Sequence, residues 1–423
     1  GPPPRPMNPS PSLRRRPFHL VVKPTGAACN LDCSYCFFLS KEALWNPHGQ
    51  RMSEPVLRRF LERYLAAQPD GEVEIAWQGG EPTMRGLDFF RRAVAITEEL
   101  KRPRQVVHHA IQTNATLIDA QWAQFLAENH FLVGVSIDGP EDLHDVYRVN
   151  KAGRGTYHQV VRGLRLLQEH GVETNVLCTV NAVNVSEPLR VYRHLRDQLG
   201  VDFIQFIPIV ERVASGEESV AEAGWRDESG HRVLYRQEGA DTTSRSVPPR
   251  AWGQFLSAVY DEWLEHDVGR VFVQHIEVMV GAALGRYSLC AHAPECGDAL
   301  AIEHNGDVYS CDHYVEPGYR LDSVLSSDFT QMLSSPRQRE FGTSKRTGLP
   351  RQCRECPVRW ACNGGCPKDR FDITSDGEAG LNHLCAGYYA FFTHAAPVVL
   401  RMADAVRQGI PVADVLATSG APS

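Results

Sequence analysis

Three cysteines near the start of the chain have the spacing of metal ligands. Cys29, Cys33 and Cys36 follow one another as C-x3-C-x2-C, so one short loop supplies three thiolates. A [4Fe-4S] cluster has four irons, and three thiolates leave one of them without a protein ligand. An open metal position is where chemistry takes place, whereas fully ligated sites are structural or relay electrons. The loop is therefore predicted to hold a reactive iron–sulfur cluster.

A zinc site or a cluster of reactive thiols is the alternative interpretation of this loop. Zinc requires a fourth Cys or His nearby, and the nearest candidate is His48, twelve residues beyond Cys36. The loop follows an apolar run, His19–Pro24, that is predicted to be a strand. In this context the loop resembles that of the radical S-adenosylmethionine (SAM) enzymes. The resemblance implies that the open iron binds the amino and carboxylate groups of SAM.

The remaining cysteines are concentrated in the last third of the chain. Of the twelve cysteines, Cys178 lies in an apolar run and is predicted to be a buried small hydrophobe. Eight cysteines follow residue 289, which is the number that two fully ligated [4Fe-4S] clusters need. A pair of structural zinc sites is the alternative, because C-x2-C units also bind zinc. The eight are Cys290, Cys296, Cys311, Cys353, Cys356, Cys362, Cys366 and Cys385.

Bulk composition limits the class of protein. With 423 residues and 43% hydrophobic content, the chain can form two or three domains with substantial cores. A formal net charge of -7 argues against a nucleic-acid partner. No apolar stretch in the sequence has the length of a membrane span, and no signal-peptide core is recognisable. The chain is therefore predicted to be cytoplasmic, with no membrane partner.

Alternating strand and helix patterns predict the fold class. Six apolar, β-branched runs alternate with amphipathic stretches, which favours parallel β/α units. Six units are too few for a closed eight-stranded barrel, so we predict an α/β fold with a partial (β/α)6 TIM-like barrel whose active site lies at the C-terminal ends of the strands. The predicted strands are His19–Pro24, Val73–Gln78, Val106–Thr113, Leu132–Ile137, Glu173–Val180 and Phe203–Val210. The predicted helices are Ser53–Ala67, with Ser53 as N-cap, and Leu87–Leu100, Ala120–Glu128, Tyr157–Glu169 and Glu187–Leu199.

Changes of composition along the chain predict its domains. A Pro-rich leader, 1–16, is expected to be disordered, and the barrel is expected over 17–250. Its end contains a polar insertion, 212–250, predicted to be a long loop that covers a binding site. Connecting helices over 251–286, including Trp252–Asp267, lead to a cysteine-rich domain over 287–395. A helix at Ala396–Gln408 and a tail complete residues 396–423.

Polar motifs follow the predicted strands at the edge where parallel strands end. Gly79-Gly80-Glu81-Pro82 directly follows the second strand, which ends at Gln78, and glycines there allow close backbone approach. This motif resembles the GGEP motif of radical SAM enzymes, whose backbone binds the SAM ammonium group. The fourth strand carries Ser136 and is followed by Arg148, and these two could hold the ribose and carboxylate of SAM. The alternative for Arg148 is a surface salt bridge. The sixth strand, ending at Val210, could flank the adenine.

The C-terminal cysteines resemble the SPASM extension, a domain with two auxiliary clusters. By that resemblance the two ligand sets interleave along the chain. Cys290, Cys296, Cys311 and Cys366 would hold the first auxiliary cluster, and Cys353, Cys356, Cys362 and Cys385 the second. Crossing ligation of this kind would also stabilise a small domain.

Longer segments resemble one family, the anaerobic sulfatase-maturating enzymes. These segments include Ile75–Pro82, Glu303–His313, Gly364–Phe371 and Leu381–Tyr388, and the likeness extends over residues 17–395. Members of the family oxidise one Cys or Ser of a sulfatase to Cα-formylglycine (3-oxoalanine). The resemblance implies three [4Fe-4S] clusters, SAM, and a sulfatase polypeptide carrying the motif Cys/Ser-x-Pro/Ala-x-Arg. It also implies a reductant such as flavodoxin or ferredoxin.

The family's roles transfer to matching residues of this sequence. Tyr35 would lie near SAM, and Gly80, Ser136, Arg148 and Val210 would contact it. Asp312, directly after Cys311, matches the family's general base, and a carboxylate beside an electron-accepting cluster would couple proton loss to electron loss. The alternative for Asp312 is an ordinary turn residue.

Two further functions compete with sulfatase maturation. A related enzyme could form cross-links or thioethers in a ribosomal precursor peptide with the same cysteine sets. A zinc- or cluster-stabilised binding scaffold is the third possibility, and the C-x3-C-x2-C loop argues against it. If the substrate is a peptide with an Arg, its acidic contacts are predicted among Glu217, Glu218 and Glu222.

Overall fold

A parallel sheet carries the first half of the chain. The computed structural model describes residues 15–45 and 49–417. Six strands pair in parallel and in chain order, and each was predicted from sequence. The predicted partial barrel is thereby confirmed. The strands are β1 (His19–Val22), β2 (Gly71–Trp77), β3 (Gln105–Thr113), β4 (Leu132–Ser136), β5 (Glu173–Val180) and β6 (Phe203–Pro208).

Helices between these strands bury their apolar faces against the sheet. Ser53 caps the first long helix as predicted, accepting a hydrogen bond from the Val56 N–H at 3.4 Å, and three predicted helices have the expected bounds. The predicted helix over Glu187–Leu199 begins as an α-helix and continues as one π-helical turn, His194–Gln198. The helices are α1 (Phe37–Ser40), α2 (Glu54–Ala67), α3 (Leu87–Leu100), α4 (Ala120–Glu128), α5 (Glu141–Tyr147), α6 (Tyr157–Glu169) and α7 (Pro188–Arg193).

The insertion over 212–250 is more ordered than the predicted loop. It contains a two-stranded pair, β7 (Arg212–Val213) and β8 (Asp241–Thr242), and a short helix, α8 (Glu218–Glu222). Trp225 and Tyr235 are buried in a small core of their own. Arg245 pairs with Glu211 at 2.8 Å, and both side chains are buried. The overall composition of the segment is polar, so the sequence predicted a loop. The segment nevertheless has a small apolar core, to which these two aromatic residues belong.

Strands from the cysteine-rich region extend the barrel sheet, which the sequence did not predict. In the described part of the chain, ten strands form one sheet. Strand β10 pairs in parallel with β1, on the side away from β2, and β11 and β12 continue it in antiparallel fashion. Strand β9 pairs with β6 at the other edge. The added strands are β9 (Phe272–Val273), β10 (Ala299–Ile302), β11 (Asp307–Tyr309) and β12 (Arg320–Ser323), and a separate pair comprises β13 (Asp372–Ile373) and β14 (Ala379–Leu381).

The last long helix begins at Cys385, whereas the sequence predicted its start at Ala396. Its buried stripe includes Tyr388, Phe391 and Phe392, and it packs on the helix that follows the insertion. Gly253 and Gly387 meet where these two helices cross, because a Cβ on Gly253 would lie 2.5 Å from the Gly387 carbonyl oxygen. The remaining helices are α9 (Pro249–His266), α10 (Gln274–Ala283), α11 (Phe329–Ser334), α12 (Pro336–Thr347), α13 (Arg351–Arg354), α14 (Arg359–Cys362), α15 (Cys385–Arg407) and α16 (Val412–Ala417).

Two predictions concern residues that lie mostly outside the described ranges. The leader, 1–16, lies outside the described residues except for its last two, and His48 lies outside them as well. Cys178 is fully buried on β5, as predicted. Across the described ranges, no helix is long and apolar enough to cross a membrane.

Candidate active site

The glycine motif after β2 forms the floor under the cysteine loop. The Gly80 N–H donates to the Gly26 carbonyl at 2.9 Å, and the Glu81 N–H donates to the Ala28 carbonyl at 2.7 Å. A Cβ on Gly80 would lie 2.0 Å from the Ala28 oxygen. Only glycine allows this approach, so the motif and the loop that leads to Cys29 form one backbone unit.

Hydrogen bonds of Glu81 connect this unit to the end of β3. Its buried carboxylate accepts hydrogen bonds from the Asn114 N–H at 2.7 Å and from the Thr113 hydroxyl at 2.8 Å. It also accepts the Thr83 N–H at 3.0 Å. Gln78, half-buried, donates its backbone N–H to Val22 at 2.9 Å. The carboxylate of Glu81 is therefore occupied by groups at the ends of β2 and β3, and the N–H groups of Gly80 and Glu81 are occupied by the loop that leads to Cys29.

The three thiols of the loop lie close enough to affect one another. Burial, the Glu81 carboxylate and the Cys36 thiol raise the pKa of Cys29. Burial raises the pKa of Cys33 to about 12, against the opposing effect of the Arg148 guanidinium. The Cys29 sulfur accepts the Leu31 N–H at 3.4 Å. N–H donors directed at sulfur are typical of iron–sulfur ligands, where they tune the cluster.

A buried polar network lies beside the loop at the ends of β4 and β5. Arg148 pairs with Asp138, with Nε and Oδ1 2.9 Å apart, and only 9% of the Arg148 side chain is exposed. The surface-salt-bridge alternative for Arg148 is therefore wrong. The Tyr35 hydroxyl donates to Asp138, and the Arg148 guanidinium lies 5.5 Å from the Tyr35 ring centroid. The Thr179 hydroxyl lies within hydrogen-bonding distance of the Tyr35 hydroxyl and of the Asp138 carboxylate, at 2.7 Å from each.

Asp138 and Thr179 were not predicted as site residues. The Asp-Gly-Pro turn after β4 was the available signal for Asp138, because it follows a parallel strand at the edge where the site forms. Ser136, at the end of β4, accepts a hydrogen bond from the Gln112 amide at 2.9 Å. Val210 is buried just beyond β6. The structure thus brings all the predicted cofactor-binding residues to one rim of the sheet.

Asp312 reaches this rim from the cysteine-rich region. It begins a 3-10 turn, Asp312–Tyr314, immediately after Cys311. Its Oδ1 lies 2.7 Å from the Nζ of Lys23, which is the residue after β1. Glu303, after β10, lies 3.6 Å from the same ammonium. Burial by itself would lower the pKa of Lys23, but the two carboxylates raise it. Asp312 is therefore both a turn residue and an ion-pair partner inside the site.

The eight C-terminal thiols divide into two groups. Burial and the thiols of Cys366 and Cys290 raise the pKa of Cys311. Burial also raises the pKa of Cys296, with a contribution from Cys290. These four residues, Cys290, Cys296, Cys311 and Cys366, are the first set that the resemblance implied.

The second group involves the start of α15. Burial raises the pKa of Cys362 to about 12, and the thiols of Cys385, Cys353 and Cys356 contribute to the increase. The Cys385 sulfur also accepts a hydrogen bond from the Gln352 amide at 3.8 Å. Cys366, which lies between Cys362 and Cys385 in the chain, is instead influenced by the thiol of Cys290. The interleaved ligand sets stay a prediction.

The chemistry of these donor sets fits iron–sulfur clusters, because the first loop supplies three thiolates and the later cysteines supply eight more. Within the described residues, no group of three or more His, Cys, Asp or Glu side chains is arranged to hold a single metal ion.

Comparisons with protein families define the class. The model of the radical SAM superfamily matches residues 24–195. The model of the SPASM iron-sulfur cluster-binding domain matches residues 290–357. The fold and site are those of a radical SAM enzyme with an auxiliary iron–sulfur domain, and such an enzyme uses SAM and iron–sulfur clusters.

Individual relatives narrow this class. A serine-type anaerobic sulfatase-maturating enzyme of Bacteroides thetaiotaomicron is 42% identical over 386 residues, which cover 90% of each chain. A cysteine-type enzyme of Clostridium perfringens is 30% identical over 396 residues, 92% of this chain and 100% of the relative. A solved structure described as native anSMEcpe with bound AdoMet and Cp18Cys peptide has a TM-score of 0.79 at 29% identity, covering 92% of this chain and 100% of that one. The chain belongs to the anaerobic sulfatase-maturating enzymes.

Proposed function

We propose that this enzyme holds three [4Fe-4S] clusters. The loop of Cys29, Cys33 and Cys36 would hold the cluster that binds SAM, because its three thiols leave one iron open. The two interleaved sets of four cysteines would each ligate a closed auxiliary cluster. Mutual effects among the thiols of each set support this division.

The SAM molecule would lie along the rim formed by the ends of the strands. The backbone carbonyls of Gly79 and Gly80 would accept hydrogen bonds from the SAM ammonium group there. The Gly80 N–H is already donated to Gly26, and the Glu81 side chain is occupied by Thr113 and Asn114. Ser136 and Arg148 would meet the ribose and the carboxylate. Tyr35 and Val210 would border the same molecule, with the Tyr35 ring held by Arg148 and Asp138.

The reaction converts a Cys or Ser side chain of a sulfatase to Cα-formylglycine. Oxidation of a seryl CH2OH to an aldehyde removes one hydrogen atom, one proton and one electron. The same losses from a cysteinyl CH2SH give a thioaldehyde, which water hydrolyses to the aldehyde with release of hydrogen sulfide. SAM on its cluster supplies abstraction of the hydrogen atom from Cβ, and the auxiliary clusters supply the acceptor for the electron. The protein must therefore supply a base for the proton.

Asp312 is the residue that we assign as this base. Its carboxylate lies between Cys311, a ligand of the first auxiliary set, and Lys23, which precedes the SAM-cluster loop. This position between the two groups is the observation that carries the assignment. The proton of the substrate hydroxyl or thiol and the electron of the carbon radical would then be lost on the same side of the substrate.

The insertion is suited to contact an extended polypeptide substrate. Arg226 and Arg232 pair with Asp32, inside the SAM-cluster loop. On the other side, the Gln237 N–H donates to Glu316 at 2.9 Å, close to the turn of Asp312. The insertion thus connects the two parts of the chain that supply the site, and it would border a peptide lying between them.

The predicted acidic contacts for the substrate Arg now differ in availability. Glu217, Glu218 and Glu222 are all exposed. Glu222 accepts hydrogen bonds from the Ser244 N–H at 2.8 Å and from its hydroxyl at 2.5 Å, and Glu218 accepts one from the Gly216 N–H at 3.3 Å. We therefore favour Glu217 over Glu218 and Glu222 as the contact for the Arg of the Cys/Ser-x-Pro/Ala-x-Arg motif.

The remaining assignments concern the electron donor, the cellular location and the domain boundaries of the enzyme. An electron donor such as flavodoxin or ferredoxin would reduce the SAM cluster, and we place the enzyme in the cytoplasm, where sulfatase chains are synthesised. We divide the chain into a barrel over 17–250, connecting helices over 251–286 and the auxiliary domain over 287–395. Helix α15 runs continuously through residue 396, so the boundary there marks the end of the proposed cluster-binding residues and not the end of a structural element.

A peptide assay tests the proposal. The anaerobic holoenzyme is incubated with SAM, a chemical reductant and peptides that carry Cys or Ser in the sulfatase motif, and the products are analysed by mass spectrometry. We expect an aldehyde that reacts with a hydrazide probe, and no such product from free cysteine. A cross-linked or thioether product without aldehyde would instead identify a precursor-peptide enzyme. Equal turnover of free cysteine would contradict a peptide substrate.

A further inference from the structure

Lys23, the residue directly after β1, contacts several parts of the site at once. Its side chain is 1% exposed, and its backbone N–H donates to Ile302 of β10 at 3.0 Å. The ammonium group lies 4.6 Å from the centroid of the Phe38 ring, two residues beyond Cys36. A Cβ on Gly79 would lie 2.9 Å from the Lys23 Cγ. Lys23 is therefore enclosed by the glycine motif, the cluster loop and the auxiliary strand.

The ammonium of Lys23 has two carboxylate partners, which differ in distance and in exposure to solvent. Asp312 Oδ1 lies at 2.7 Å and its side chain is 15% exposed, whereas Glu303 Oε1 lies at 3.6 Å and is 1% exposed. Burying a lysine is unfavourable unless it is paired. One carboxylate would balance the charge, so the closer contact to Asp312 requires another explanation. A contact of this length fixes the orientation of the Asp312 carboxylate.

We propose that Lys23 is a positioning residue that holds the Asp312 carboxylate at the hydroxyl or thiol group on the substrate Cβ, with Glu303 as the second anchor of the ammonium. The inference rests on the proposed role of Asp312 as base. A short 3-10 turn leaves the Asp312 side chain free to rotate about χ1, and the ion pair with Lys23 removes that freedom. Positioning matters because a displacement of about 1 Å can cost on the order of 10²-fold in rate.

The chemistry fits a lysine at this place. The ammonium has three donors and no acceptor, so it can bind Asp312 and Glu303 together without competing for the substrate proton. Asp312 keeps its second carboxylate oxygen for the substrate, because Lys23 contacts Oδ1. An apolar residue of the same length would leave the buried Glu303 and the partly buried Asp312 without the cation that both contact.

Coupling between SAM cleavage and product measures this role. In Lys23→Met, the formylglycine formed per 5′-deoxyadenosine should fall about 10- to 100-fold, while deuterium from a Cβ-labelled peptide still reaches 5′-deoxyadenosine. Lys23→Arg, which keeps a cation, should recover part of the coupling. Iron content and melting temperature of each variant, measured alongside, show whether the protein is intact.

A charge-matched variant separates positioning from simple charge balance. Lys23→Met leaves two carboxylates, Asp312 and Glu303, without their cation, which can unfold the protein. Lys23→Met/Glu303→Gln keeps the formal charge of the three groups at its original value. We expect this double variant to fold with full iron and to remain uncoupled. Restored coupling would show that Lys23 only balances charge, and the inference would be wrong.

A double-mutant cycle links Lys23 to Asp312. If Lys23 acts through Asp312, Lys23→Met should cause no further loss in an Asp312→Asn background, so the two effects are non-additive. Additive losses would overturn the inference. If Asp312→Asn alone leaves formylglycine undiminished, the assigned base is wrong whatever Lys23 does, so the two failures are distinguishable.

Discussion

The Lys23 ammonium and the Asp312 carboxylate lie 2.7 Å apart, although 289 residues separate them in the chain. The pairing of β10 with β1 creates this contact, because it places the start of the auxiliary domain beside the strand that leads into the SAM-cluster loop. The ion pair is the point at which the two cysteine-bearing parts of the protein share one site.

Replacing the proposed base should separate SAM cleavage from product formation. Asp312→Asn keeps the shape of the side chain but removes the carboxylate, so we expect formylglycine to fall by about 10²–10⁴-fold. SAM cleavage and deuterium transfer to 5′-deoxyadenosine should continue. Asp307→Asn is the matched control, since Asp307 pairs with Arg320 on β12 instead. Undiminished formylglycine at full iron content would remove Asp312 from the mechanism.

Removing the thiols of the first loop should remove one cluster of three. With Cys29, Cys33 and Cys36 all replaced by Ala, iron content should fall from about twelve to about eight atoms per chain, and SAM cleavage should cease. Iron analysis and the visible spectrum of the anaerobic protein measure both the loss and the surviving auxiliary clusters. Unchanged iron would contradict the assignment of this loop.

Gly80→Ala should damage the site through the backbone. The new Cβ would lie 2.0 Å from the Ala28 oxygen, so the cluster loop must move, at a cost of about 1–3 kcal/mol or more. We expect weaker SAM binding, by tenfold or more on that basis, in an equilibrium binding measurement. Gly318→Ala is the control, because a Cβ there meets nothing within 4 Å. Equal SAM affinity in both variants would argue against this close approach.

Releasing the insertion should weaken peptide binding and spare SAM cleavage. Arg226→Ala/Arg232→Ala removes both cations from Asp32, and partly exposed pairs of this kind contribute about 1 kcal/mol or less each. We expect a several-fold rise in the KM for the peptide, with uncoupled SAM cleavage unchanged. Arg58→Ala, which breaks an exposed pair with Glu99, provides the control. An unchanged KM would indicate that the insertion does not border the peptide.

Stability should decrease in mild acid through a buried histidine far from the clusters. Burial, with a smaller effect of His108, lowers the pKa of His109 to about 4, and its Nδ1 accepts the Trp77 indole N–H at 3.2 Å. Because the folded pKa is below the unfolded value of about 6.5, the neutral side chain stabilises the fold fully above that value. This contribution is lost as the pH falls from about 6.5 towards 4, by about 1.4 kcal/mol per unit.

A variant isolates this contribution. The melting temperature of His109→Gln should be well below that of the wild type at pH 7.5, and the difference should narrow at pH 5. His170→Gln, at an exposed position, corrects for general effects of pH on the clusters. A difference that stays constant with pH would mean that His109 is not held neutral by the fold.

The local pattern of the chain predicted most of its barrel. The bounds of α3, α4 and α6 coincide with the predicted ones because each helix has a regular apolar stripe that ends with its pattern. The start of α15 was missed, because the predicted helix began at Ala396 and the residues before it were assigned to the cysteine-rich domain; Pro397 lies inside the observed helix. The helix continues through it because Phe391, Phe392 and Val399 stay buried against neighbouring helices, and this packing outweighs the missing backbone hydrogen bond.

The sequence alone determined the kinds of ligand and their local spacing. C-x3-C-x2-C, the Gly79-Gly80 motif and the eight later cysteines are local patterns, and a short loop can use them without reference to the rest of the chain. Which thiols gather together, and which carboxylate faces the first loop, depended on long-range pairing. The addition of β10 to the free edge of β1 decided both the Lys23–Asp312 contact and the continuity of the sheet. An edge strand offers unpaired backbone groups to any partner, so only the packed tertiary structure selects the strand that takes them.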